Sequence, residues 1–182
     1  MESLMSRKYK FHNPNGIYFI SFAVQFWIDL FTRNEYRGIL LDDLQYRQQN
    51  DGLVIHAWCI MTNHVHLVIS ASSTKSPQSI LRDFKSRTTK KLIEAIKSHP
   101  QESRREWLLE KFFVEKVNGY RLWRADNKPI EIWSNYVIDQ KVNYLHNNPV
   151  EGGFVFKAEE YVYSSARDYA GEAGYLKVSL VI

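Results

Sequence analysis

At 182 residues and 21.5 kDa, the chain suits one domain over residues 1–182, with a core of about 15–150 and a tail of about 151–182. Hydrophobic residues at 45% and charged residues at 24% exclude a disordered or fibrous chain. The one cysteine, Cys59, excludes an internal disulfide framework and a cysteine-based zinc cluster, and fits a reducing cytoplasm. A formal charge of +4 and a pI of 9.1 are compatible with a polyanionic partner without requiring one. The apolar stretch 17–31 is broken by Ser21, Gln25 and Asp29 and is shorter than the roughly 20 residues of a membrane span, so no membrane partner is expected. Residues 1–8 lack the apolar core of a secretory signal, and a cytoplasmic protein is expected.

Residues 17–27 (IYFISFAVQFW), dense in β-branched and aromatic types after a turn-like Asn-Pro-Asn-Gly, predict a buried first strand. Asn34 is a suitable cap for a helix over about 35–49, closed by Asn50-Asp51-Gly52. Two apolar runs, 53–61 and 64–70, separated by Thr62-Asn63, predict an antiparallel hairpin. Ser76-Pro77 marks the start of a helix running to about His99-Pro100, with Ile80, Leu81, Phe84, Thr88, Leu92, Ala95 and Ile96 on its core face. Its other side carries Arg82, Lys85, Arg87, Lys90 and Lys91, a basic surface that would serve either solvation or phosphate contact. Ser103 with Glu106 reads as a capping box for a short helix, residues 113–123 as a fourth strand or a hairpin around Asn118-Gly119, and Ser134 as the cap of a last helix ending near His146 before Asn148-Pro149. The order strand, helix, strand, strand, helix, strand predicts an α+β, ferredoxin-like (RRM-like) antiparallel sheet with helices on one face, followed by an extra C-terminal helix.

His64 and His66 lie two apart on a strand, so both imidazoles project from one face, which is half of a divalent metal site. His56, on the neighbouring strand, suits a packed or hydrogen-bonded role. Tyr144 and Asn148, four apart near a helix end, present a phenol and a carboxamide to one ligand. Together these residues suit in-line attack of a tyrosine oxygen on a metal-polarised phosphodiester. Tyr136, two turns earlier with Gln140 four residues beyond it, is the alternative nucleophile.

Four segments, WCIMTNHVHLV (58–68), LWR (122–124), YLHNNPV (144–150) with Gly153 beyond, and YVYSSARDYAG (161–171), resemble the single-tyrosine HUH transposases of the IS200-like group. Within that group they are most similar to the transposases associated with repetitive extragenic palindromes (REPs), over roughly 17–178. The resemblance implies a ferredoxin-like sheet, a catalytic last helix, Tyr144 as nucleophile forming a 5′-phosphotyrosine link, and Mg²⁺ or Mn²⁺ held by His64, His66 and Asn148. It implies as partner a hairpin-bearing single-stranded DNA, REP-like or from an element end, in a bacterial cytoplasm at the nucleoid, and leaves a homodimer open. Arg82, Lys85, Lys90, Lys91, Trp123 and Arg124 are the expected DNA contacts. After Trp123 the chain departs from many relatives, which carry a tyrosine- and histidine-containing run where this one has residues 124–132 (RADNKPIEI). The competing expectations are an inactive nucleic-acid-binding module of the same fold, stacking bases on aromatics such as Trp58 or Trp123, and a small-molecule metal hydrolase.

Overall fold

The computed structural model describes residues 11–73, 75–126 and 129–181. Residues 1–8, read above as no secretory signal, lie outside them. No described helix is long and apolar enough to cross a membrane. In chain order the strands and α-helices are β1 (Ile17–Ala23), α1 (Asn34–Asn50), β2 (Leu53–Ile60), β3 (His64–Ala71), α2 (Pro77–Ser98), α3 (Arg105–Phe112), β4 (Phe113–Val114), β5 (Gly119–Tyr120), β6 (Ile130–Ile132), α4 (Asn135–Glu151) and the one-turn α5 (Ala166–Tyr169). The main sheet runs β2-β3-β1-β6 with every pairing antiparallel, the ferredoxin-like order expected from the sequence.

Period-2 alternation divides β1 and β3 between two cores, and in β2 an irregularity between Ile55 and Ala57 shifts the phase. Tyr18, Ile20 and Phe22 of β1 and Val65, Leu67 and Ile69 of β3 pack with Leu40 and Leu44 of α1 and Phe84, Leu92 and Ile96 of α2. The opposite face, carrying Phe19, Ala57, Cys59 and Val68, is covered by Ile138, Val142 and Leu145 of α4. The extra helix thus lies across the sheet from α1 and α2, on the face to which His64 and His66 point.

Several boundaries differ from the sequence expectation. β1 stops at Ala23 because the chain turns: Phe26 and Trp27 adopt left-handed φ values of 58° and 55°. The fourth strand of the sheet is β6, paired with β1 through Ile17 and Ile132. Residues 113–123, expected to supply that strand or a hairpin, form the hairpin, as a separate two-stranded sheet. Arg33, not Asn34, is the N-cap of α1, and the Asn34 side chain accepts a bond from the Tyr163 hydroxyl instead. The Ser103–Glu106 capping box does not form; Arg104 is the N-cap of α3, and its N–H is satisfied by Glu102 Oε1 at 3.1 Å. The Ser76 cap is as expected, accepting from the Ser79 N–H at 3.2 Å. α4 does not end before Pro149 but passes through it to Glu151, closing with Gly152 N–H on Asn148 O and Gly153 N–H on Val150 O.

The tail covers the outer edge of β2, which would otherwise present unpaired backbone groups. Ile60 N–H donates to Tyr163 O, Ser165 N–H to Trp58 O and Ser179 N–H to Ile55 O, while Ser165 Oγ accepts from Trp58 N–H at 2.9 Å.

Candidate active site

β3 opens with His64 and carries His66 on the same face. In register, His66 sits between Ser21 of β1 and Cys59 of β2, two small side chains that leave room above the imidazole. The two rings meet edge to face at 4.7 Å. His64 is oriented by its neighbour in sequence. The Asn63 amide NH₂ donates to Asp29 Oδ1 at 3.0 Å and to Trp27 O at 3.3 Å, so its oxygen is left to accept from His64 Nδ1–H at 2.7 Å. That fixes the tautomer and leaves a lone pair on His64 Nε2.

The lone pair faces Asn148 Oδ1 at 3.2 Å. With the proton on Nδ1, the imidazole nitrogen and the amide oxygen are close enough to share a cation. His66 is buried, and both of its ring nitrogens lack a hydrogen-bond partner among the described residues, an arrangement that costs free energy unless a ligand satisfies one of them. Burial lowers the pKa of His64, against the opposing effects of Asn148 and Asp29. Burial, with the neighbouring His64, brings His66 down to about 3. Both imidazoles are therefore neutral near pH 7, the state in which they ligate metals. Among the described residues no group of three His, Cys, Asp or Glu side chains could hold a metal; beside the histidine pair lies the Asn148 carboxamide, 3.2 Å from His64 Nε2.

α4 brings Tyr144 to the same place. Its ring lies edge-on to His66 at 5.4 Å and to Phe19 at 6.0 Å, and Phe19 in turn stacks on His66 at 5.6 Å. Tyr144 remains 46% exposed, open to a ligand from solvent. Tyr136, 76% exposed, lies two helical turns or about 12 Å along the axis, and the ring contacts to His66 run through Tyr144. Lys141 places its Nζ 5.2 Å from the centre of the Phe19 ring, one helical turn before Tyr144. The sequence pattern alone does not single out Lys141, although its i, i+3 spacing to Tyr144 is visible there.

The expected DNA contacts separate into two groups. Arg82 and Lys90 are exposed on α2, with Lys91 partly so. Lys85 is turned inward: its Nζ donates to Arg124 O at 2.9 Å and lies over Phe22 at 5.1 Å, and burial lowers its pKa to about 8. Trp123 requires correction as a base-stacking residue. It is 4% exposed, packs edge-on to Phe22 at 4.9 Å and donates its indole N–H to Thr88 Oγ1 at 3.1 Å, so its faces belong to the core. Trp58, fully buried, is likewise inaccessible to a base. Arg124 is at the surface, paired with Asp126 through Nε at 3.0 Å and Nη2 at 3.1 Å. His56 is hydrogen-bonded to Ser179 O and Ser70 Oγ, each at 2.9 Å, the structural role expected for it. A cleft of about 390 Å³ between α2 and the 117–125 segment is lined by Lys85, Lys90 and Arg121 together with Tyr120.

The ferredoxin-like sheet thus sets a histidine pair against a helix-borne tyrosine and asparagine. Residues 28–140 match the family described as IS200-like transposases. That is more than half of the chain, and the chain belongs to this family. The matched segment contains both histidines and ends on α4 before Tyr144. Among solved structures, one described as the REP associates tyrosine transposase bound to a REP hairpin has a similar fold, with a TM-score of 0.66 and 16% identity over 95% of this chain and 91% of that one. A second, a putative transposase from Deinococcus radiodurans R1, has a TM-score of 0.47 and 18% identity over 72% of this chain and 88% of that one. No curated protein matches the chain significantly.

Proposed function

We propose that this transposase cleaves and rejoins hairpin-bearing single-stranded DNA, with Tyr144 as nucleophile and His64, His66 and Asn148 holding a divalent cation. The observation that carries the proposal is the convergence of α4 and β3: the Tyr144 ring meets His66 at 5.4 Å and Asn148 Oδ1 meets His64 Nε2 at 3.2 Å. The metal, when bound, would polarise the scissile phosphate as a Lewis acid. Tyr144 Oη forms a bond to phosphorus as the bond to the 3′-oxygen breaks; the phenol proton passes to solvent and the departing oxygen takes up a proton as a 3′-hydroxyl. The phosphotyrosine diester retains the bond for reversal by an incoming 3′-hydroxyl. Asn63 and Asp29 hold His64 in the ligating tautomer, and Phe19 backs His66.

Two imidazoles and one amide oxygen form a donor set softer than the all-oxygen sphere Mg²⁺ prefers, which favours Mn²⁺ of the two expected ions. In this reading nucleophile and ligands come from one chain. The likeness to a hairpin-bound transposase supports a hairpin partner of REP type. The test is a comparison of one sequence as a hairpin with a single-stranded flank, as an unstructured strand and as duplex, in Mn²⁺. Cleavage confined to the flanked hairpin is expected. Equal cleavage of all three would overturn the substrate assignment.

A further inference from the structure

Trp27 and Phe26 form a feature that no step above uses. Both carry large side chains in the left-handed region, at φ 55° and 58°, where a residue with a Cβ is disfavoured and glycine is the low-strain choice. Both are exposed, Phe26 at 65% and Trp27 at 54%, so core packing does not account for the aromatic rings. The surrounding backbone holds the turn on both sides: Val24 N–H donates to Asn63 O at 2.9 Å, Gln25 N–H to Leu122 O at 2.8 Å and Trp27 N–H to Val24 O at 3.1 Å. Strain maintained in this way at a site's rim marks a position whose side chains are needed there.

The position is the edge of the histidine pair. Trp27 meets the His64 ring edge-on at 5.9 Å, and Arg124 places its guanidinium carbon 5.5 Å from the centre of the Trp27 ring. Arg124 is followed by Ala125, which lines the basic cleft. Trp27 therefore has the histidine pair on one side and the Arg124 guanidinium on another.

We propose that Phe26 and Trp27 are a stacking platform for one unpaired base next to the scissile phosphate, with Arg124 contacting the adjoining backbone. The inference rests on the single-stranded DNA reading of the site. Aromatic stacking tolerates any base, so the platform supplies position along the strand and leaves sequence selection to other contacts. It takes the place that the sequence suggested for the buried Trp123.

The test uses the full chain with Tyr144→Phe, so that binding is read without cleavage, and a labelled hairpin with a single-stranded flank. Trp27→Ala should lower affinity about tenfold or more, and Trp27→Phe should restore most of it. Abasic sites scanned along the flank should identify one position at which Trp27→Ala has no further effect, since the base it stacks is already absent. Equal affinity of the alanine variant, or an additive loss at every abasic position, would overturn the platform. If the parent chain binds duplex as tightly as the flanked hairpin, the single-strand reading itself fails, an outcome distinct from binding that does not depend on Trp27.

Discussion

Asn148 Oδ1 lies 3.2 Å from His64 Nε2, although one residue lies in the last turn of α4 and the other opens β3. Because Asn63 holds the proton on His64 Nδ1, the contact sets an acceptor against a lone pair. The pairing makes chemical sense around a cation.

The proposed metal site predicts a metal-dependent reaction. His64→Ala and His66→Ala should each abolish cleavage, while Asn148→Ala should leave reduced activity because water can replace one oxygen ligand. Mn²⁺ should support cleavage at lower concentration than Mg²⁺. Asn63→Ala leaves the ligand in place and frees its ring, so the Mn²⁺ concentration for half-maximal activity should rise about 10- to 100-fold. Titrating the metal for each variant checks the order, and full activity of both histidine variants in chelator would contradict it.

Trp123→Ala should act on the fold. Removing a buried indole costs about 3–5 kcal/mol, and here the Thr88 hydroxyl also loses its donor. Thermal unfolding should show a large fall in Tm. Arg82→Ala and Lys90→Ala should instead leave Tm nearly unchanged and reduce the log-log salt dependence of single-strand binding by about 0.7 for each phosphate that is no longer neutralised. Unchanged salt slopes would return the exposed face of α2 to simple solvation.

The sequence displays some of this directly and hides the rest for identifiable reasons. Ser76-Pro77, the period-2 runs around His64 and His66, and the strand–helix order are local patterns, and the elements they predict form. β6 escapes because three residues, Ile130 to Ile132, are too few to establish a period. The turn at Phe26 and Trp27 escapes because aromatic side chains continue a strand pattern as readily as they end one. Trp123 reads as a DNA contact because composition does not separate a core indole from a stacking one. The approach of Tyr144 to His66 depends on α4 crossing the far face of the sheet, a tertiary fact that only the family resemblance suggests.

Acid stability should depend on Glu102. Burial opposes its ionisation, but bonds from Arg104, Tyr36 and Arg33 outweigh that and hold its pKa at about 2, below the roughly 4.3 of an unfolded glutamate. A depressed folded pKa contributes stability that is present in full above the unfolded value and is lost as pH falls toward 2. Because Arg104 Nη1 also donates to Asp29 O at 2.9 Å, Glu102 helps hold the loop that orients Asn63. Glu102→Gln should lower Tm at pH 7, with the gap to the parent narrowing between pH 5 and 2; a gap constant across that range would exclude this role.

The proposed mechanism turns on a bond between Tyr144 and DNA. The most direct measurement incubates the chain, with Tyr144→Phe and Tyr136→Phe variants alongside, with a 3′-labelled hairpin oligonucleotide and Mn²⁺. Adducts are separated on a denaturing protein gel and the modified peptide is identified by mass. A labelled adduct is expected on the Tyr144 peptide, retained in Tyr136→Phe and absent in Tyr144→Phe, with hairpin binding intact in both variants. An adduct that persists in Tyr144→Phe, or that maps to Tyr136, would contradict this mechanism.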